Sequence, residues 1–298
     1  MLRRIKNRPA RSLLAGLLMG LSLGGAHATD GMSVFPDASR IASIGGAVTE
    51  IVFALGEEKR LVARDSTSLY PKDALALPDV GYMRALSPEG VLSVNPTGLL
   101  VVAGSGPKEA LDVLKKASVA YIEVPDQFTH QGIIDKITVI GKALGADAKA
   151  AELSAKVDAD LDAAQKLTEG VSAKKRVLFI LSMQGGKIMG SGSGTAASGI
   201  IEMAGGVNAI EGFAGYKQLS DEAVLTANPD IILMMDRGGD HSAANADLFA
   251  HPAIATTPAG KAKALLRMDG GYLLGFGPRT AGAISDLAKA LYGDQIKG

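Results

Sequence analysis

Short apolar runs alternate with amphipathic stretches along most of this chain. Residues 40–44 form the first such run, a strand, followed by a turn at Gly45-Gly46 and a helix over 48–55 that Gly56 closes. Apolar runs recur at 61–64, 99–103 and 120–124, with helical periodicity over 108–116 and 131–144. Residues 146–167 then read as one long helix, with Leu153, Val157, Leu161 and Ala164 along a single stripe and Gly170 beyond its end. The alternation resumes with strands at 176–181, 231–235 and 264–268 and helices at 196–204 and 280–291. Strands alternating with helices predict an α/β protein with mostly parallel sheets flanked by helices. The single long connector predicts two similar lobes, over 29–145 and 170–298, joined by a linking helix at 146–169, with a ligand cleft between them. One stiff crossover also predicts small lobe movements rather than wide closure.

One stretch occurs twice. Ser87-Pro88-Glu89-Gly90-Val91-Leu92 leads through Asn95-Pro96 to an apolar strand, and Ser220-Asp221-Glu222-Ala223-Val224-Leu225 leads through Asn228-Pro229 to another. Each Ser is placed to start a short helix, and each Glu to complement the helix dipole. Equivalent helix starts, one per lobe, place Glu89 and Glu222 on the same rim of the molecule. The first copy follows a loop over 65–84 that contains Pro71 and Pro78 and has little periodicity. A loop of that length is a candidate for function, and it carries two aromatics, Tyr70 and Tyr82.

The N-terminus is of a different kind. Arg3, Arg4, Lys6, Arg8 and Arg11 precede an apolar run over 13–23, and Ala26-His27-Ala28 supplies a small-x-small cleavage pattern. This is the pattern of a secretory signal peptide over 1–28, cut after Ala28, with an uncleaved anchor as the alternative. Without it, 31 − 5 = 26 basic residues face 31 acidic ones, a net charge of −5. That balance argues against nucleic acid or an anionic membrane surface as partner. The chain has no cysteine, so no disulfide, thiolate ligand or thioether-bound haem is available, and a periplasmic location is expected.

Motifs of catalysis are missing. His27, His130, His241 and His251 show no spacing of a zinc or manganese site, and His251, before Pro252, reads as the end of a helix. There is no G-x-S-x-G elbow and no nucleophile–base spacing, so nothing nominates an enzyme. The glycines over 185–194 resemble a phosphate cradle but lack its Gly-Lys-Ser/Thr ending. They read as a flexible loop before a helix capped by Thr195, with a carboxylate held at that helix start as the alternative. Tyr82 by residue type alone is an amphipathic surface residue, but it sits at the expected mouth of the cleft.

The repeated Ser-x-Glu-x-Val-Leu…Asn-Pro unit, the signal peptide and the long linking helix resemble the helix-backboned substrate-binding proteins of ABC importers for siderophores, cobalamin and haem. Val80-Gly81-Tyr82-Met83-Arg84, with Ser87-Pro88-Glu89 after it, resembles the periplasmic haem-binding proteins within that group. So do Ser43-Ile44-Gly45-Gly46 and Gly194-Thr195-Ala196-Ala197. The resemblance implies a carrier of ferric haem with Tyr82 as axial iron ligand and Arg84 in the same pocket. It also implies a basic residue from the second lobe beside the phenolate, for which Arg237 is the candidate. Since free tyrosine has a pKa of about 10, it ligates well only when iron and a neighbouring guanidinium stabilise the phenolate. Some relatives hold a second haem through a histidine where this chain has Ser182-Met183-Gln184. One haem is therefore expected, with Met183 as pocket wall. The resemblance further implies docking of Glu89 and Glu222 on arginines of two permease subunits, a monomer, and an outer-membrane haem receptor upstream. A ferric siderophore, cobalamin or a haem-using enzyme remain the alternatives.

Overall fold

The computed structural model describes residues 34–236 and 242–296. In the first lobe the order is β1 (Ile41–Ile44), α1 (Gly46–Ala54), β2 (Leu61–Arg64), α2 (Pro88–Leu92), β3 (Gly98–Val102), α3 (Lys108–Lys116), β4 (Ala120–Val124) and α4 (His130–Ala143). The four strands form a parallel sheet in the order β2-β1-β3-β4. Helix α5 (Asp147–Lys166) leads to the second lobe. There follow β5 (Arg176–Gln184), β6 (Lys187–Ser191), α6 (Ala196–Met203), β7 (Val207–Asn208), β8 (Tyr216–Leu219), α7 (Asp221–Ala227) and β9 (Ile231–Asp236). The chain ends with α8 (Ser242–Ala250), α9 (Pro252–Ala255), α10 (Pro258–Ala262), β10 (Leu265–Asp269), α11 (Gly270–Leu274) and α12 (Thr280–Tyr292).

The two lobes repeat one plan. In the second sheet β7, β5, β9 and β10 pair in parallel in the places that β2, β1, β3 and β4 hold in the first. The repeated sequence unit falls at corresponding points, 133 residues apart throughout (222 − 89 and 228 − 95). Ser87 Oγ accepts from the Gly90 amide at the start of α2, and Ser220 Oγ from the Ala223 amide at the start of α7. Both units end in a left-handed asparagine, Asn95 at φ 50° and Asn228 at φ 42°. Asparagine tolerates that conformation better than most residues, which is why it recurs before each strand.

Strand alternation distributes the core. In β3, Leu99 and Val101 join an outer cluster with Val91 of α2 and Leu114 of α3. In β9, Ile232 joins the equivalent cluster with Val224 of α7 and Ile254 of α9. The opposite faces meet in one continuous cluster. It runs from Val48, Leu100 and Ile137 through Val157, Leu161 and Ala164 of α5 into Val177, Phe179, Leu233 and Ile284. Three members of the α5 stripe expected from the sequence are thus buried, while Leu153 packs against the cluster half-buried.

Glycines 185–194 correct the expectation of a flexible loop. Gly185 and Gly186, at φ 54° and 75°, make the two-residue turn of a hairpin between β5 and β6. β8 then pairs antiparallel with β6. A side chain at Gly190 would strike Leu219, and one at Gly192 the carbonyl of Phe213, so these glycines admit the neighbouring chain. Thr195 does cap α6, accepting from the Ser198 amide at 3.0 Å.

Candidate ligand cleft

The loop over 65–84 is pinned at both ends. Asp65, fully buried, accepts from the Gly45 amide at 3.0 Å, the Thr67 hydroxyl at 2.8 Å and the Ser68 hydroxyl at 2.7 Å. Ser68 and Ser43 each pair with Thr49 of α1, at 2.6 and 2.7 Å, so this buried network is satisfied and fixes the loop to the start of α1. At the other end Asp79 accepts from the Gly81 amide and Ser66 hydroxyl and pairs with Arg64 at 3.2 Å. Burial pushes the Asp79 carboxyl up, but the Gly81 amide, Ser66 and Arg64 together hold it below its ordinary range. Gly81 itself sits at φ 103°, a conformation open to glycine and strained for other residues.

Tyr82 follows directly, 45% exposed on this fixed backbone, with its carbonyl accepting from the Ala85 amide to close a turn. Leu69, Tyr70 and Leu75 of the same loop are also exposed, at 62%, 45% and 49%. One anchored loop thus leaves four large side chains exposed, and of these Tyr70 stacks on the guanidinium of Arg279. Arg84, two residues on, is exposed, and its positive charge acts on the phenol of Tyr216 in β8 of the second lobe. Burial raises the Tyr216 pKa, while Thr195, the Ala197 amide and Arg84 draw it partly back. The phenol also occupies the start of α6, where the sequence had left room for a bound carboxylate.

The other sequence candidates are dispersed. Met183 is half-buried and packs against the outer cluster of the second sheet with Ile188 and Leu219. A register shift in the β5–β6 pairing between Ile180 and Ser182 interrupts the alternation just before it. Glu89 and Glu222 are both exposed in the first turns of α2 and α7. Arg237 lies outside the described residues. Among the described residues no cluster of three or more His, Asp or Glu is arranged to hold a metal ion. Tyr216 and Arg279 had no sequence signal, and Glu50 stood only within the family-like stretch that begins at Ser43; Arg279 and Glu50 pair across the lobes over a separation of 229 residues.

The periplasmic binding protein family model matches residues 41–271. The periplasmic heme-binding protein BhuT, in complex with two hemes, is 38% identical with a TM-score of 0.79, covering 85% of this chain and 97% of that one. Its counterpart RhuT from Roseiflexus sp. RS-1, in apo form, is 36% identical with a TM-score of 0.81, covering 86% and 98%. An uncharacterised ABC transporter substrate-binding lipoprotein of Bacillus subtilis (strain 168), YvrC, is 26% identical over 269 residues, 89% of this chain and 84% of its own. The vitamin B12-binding protein of Yersinia pestis (strain Pestoides F) is 27% identical over 207 residues, 66% and 69% of the two chains.

Proposed function

The chain belongs to the periplasmic binding protein family, a family of binding proteins rather than enzymes, and from that premise we propose that it captures haem in its interlobe cleft and delivers it to an ABC importer. The observation that carries this reading is Tyr82, an exposed phenol on a backbone that is otherwise fixed. A ligand to iron has to be presented without a large ordering cost, and the pinned loop meets that condition. The exposed apolar side chains of the same loop offer contact to a macrocycle, and Arg84 supplies a cation near the pocket. The structural neighbours described as heme-binding proteins, one of them in complex with two hemes, support the same assignment. Adding hemin tests it: a Soret shift with a phenolate-to-iron charge-transfer band is expected. A flat titration with hemin together with saturable cobalamin binding would move the assignment to the B12-type ligand of the Yersinia relative.

Within this reading Tyr82 is the axial ligand, one haem is carried, and Arg237 hydrogen-bonds the phenolate. Removing a cation that favours the charged phenolate raises the pH needed to form it. Arg237→Ala is thus expected to shift the onset of the charge-transfer band to higher pH, with far-ultraviolet circular dichroism unchanged. An unaltered titration would return Arg237 to a solvated role.

Delivery is assigned to Glu89 and Glu222, which meet two permease subunits through the pseudo-two-fold arrangement of the lobes. Exposed charge pairs are individually weak, but two at a fixed spacing set orientation and encounter rate. Glu89→Lys and Glu222→Lys should each slow haem transfer to the transporter at low salt, the double variant more so, with haem binding in solution untouched. Normal transfer by the double variant would leave both glutamates only their place at a helix start. The signal sequence over 1–28, which lies outside the described residues, is assigned the export of a periplasmic monomer fed by an outer-membrane receptor.

A further inference from the structure

The connection over 276–279, between α11 and α12 of the second lobe, is held by the first lobe at several points. Lys136 of α4, fully buried, donates to the Phe276 carbonyl at 3.0 Å and pairs with Asp126 at 2.7 Å. Arg279 donates from its amide to Glu50 Oε1 at 3.2 Å and from Nε and Nη2 to Oε2 at 3.0 and 2.9 Å. Glu50, on α1, is only 7% exposed. The guanidinium carbon of Arg279 also lies 3.6 Å from the ring centre of Tyr70 and 5.5 Å from that of Tyr272. Tyr272 is in turn fixed by its hydroxyl, which donates to Asp286 at 3.0 Å.

Of these ties, the stack on Tyr70 engages the loop that carries Tyr82. That loop is anchored near residues 65–68 and 79–81 by its own lobe, whereas Tyr70, between the anchors, rests on a side chain of the other lobe. We propose that Arg279 is a positioning residue of the cleft, which ties the 65–84 loop of the first lobe to the second and so fixes the loop that carries Tyr82. Only arginine satisfies both demands at once. Its planar fork donates to a carboxylate along one edge while its face stacks on an aromatic ring, and lysine lacks that geometry.

The chain has no native cysteine, so two labels can be placed without background. Nitroxide labels on Leu75→Cys and Lys289→Cys report the distance from loop to second lobe; labels on Lys108→Cys and Lys289→Cys report the distance between lobes. In the ligand-free protein, the loop distance should lose its single narrow peak in Arg279→Ala and in Tyr70→Leu. In Arg279→Lys the lobe distance should stay narrow, because the ion pair with Glu50 remains, while the loop distance broadens with loss of the stack. Tyr70 is exposed enough that its replacement does not threaten folding, so it decides the matter if Arg279→Ala fails to fold. Narrow loop distances in both Arg279→Ala and Tyr70→Leu would overturn the proposal. Its consequence for the ligand rests on the haem reading: both variants should keep the phenolate–iron spectrum but release haem faster. Release at the wild-type rate would count against positioning. A wild-type protein without a hemin spectrum would dismiss the haem reading and leave the distance result standing.

Discussion

Tyr82→Ala is expected to abolish the phenolate-to-iron charge-transfer band and to weaken haem retention by more than roughly 100-fold. Loss of an outer partner of a metal ligand typically costs about 10–100-fold in affinity, and loss of the ligand itself should exceed that. The side chain is 45% exposed, so its removal leaves no cavity and the fold should be unaffected. Tyr70→Ala is the control for the band alone, since Tyr70 is equally exposed at 45% in the same loop but stacks on Arg279, and it should leave the band intact. Hemin titration followed by absorbance separates the two by the band, and transfer to apomyoglobin measures retention in Tyr82→Ala. A retained band in Tyr82→Ala with a lost band in Tyr70→Ala would show Tyr82 to be the wrong tyrosine and move the iron to Tyr70.

Asp126→Ala should produce the largest loss of stability among single substitutions at the lobe boundary, about 3–5 kcal/mol in urea unfolding. Lys136 has no exposed side-chain surface, and Asp126 supplies its counter-charge at 2.7 Å. Removing the carboxylate strands an ammonium in the interior, with the Phe276 carbonyl as its remaining partner among the described residues. Deleting the charge from the other side is milder. Lys136→Met keeps most of the volume, and the carboxylate left behind is 22% exposed and therefore reaches water. The idea fails if Lys136→Met proves the more damaging of the two.

Much of the fold was legible because its signals are local. The caps at Ser87, Thr195 and Ser220 announce helices by residue type and position, and the unbroken apolar runs of β3 and β9 announce buried strands. The short helices α9 and α10 carry the same kind of signal, with Pro252 and Pro258 in their first turns and Thr257 as a cap, yet their brevity hides any periodicity. The hairpin of β5 and β6 was masked by its own glycines, which read as flexibility until the facing Leu219 and Phe213 show what they make room for. The site divides likewise. Tyr82 stands in a recognisable stretch, whereas the pairing of Glu50 with Arg279 and the approach of Arg84 to Tyr216 exist only once the lobes are assembled.

The unbroken core through α5 bears on how occupancy is announced. Two lobes that share one packed interior cannot swing apart without tearing apolar contacts on both sides of the linking helix. Under the proposed delivery, an importer would therefore meet nearly the same outline whether the carrier is full or empty. The message that cargo is present has to be written in small things: the set of the Tyr82 loop, the order of a few side chains, and the exposed edge of the cargo itself.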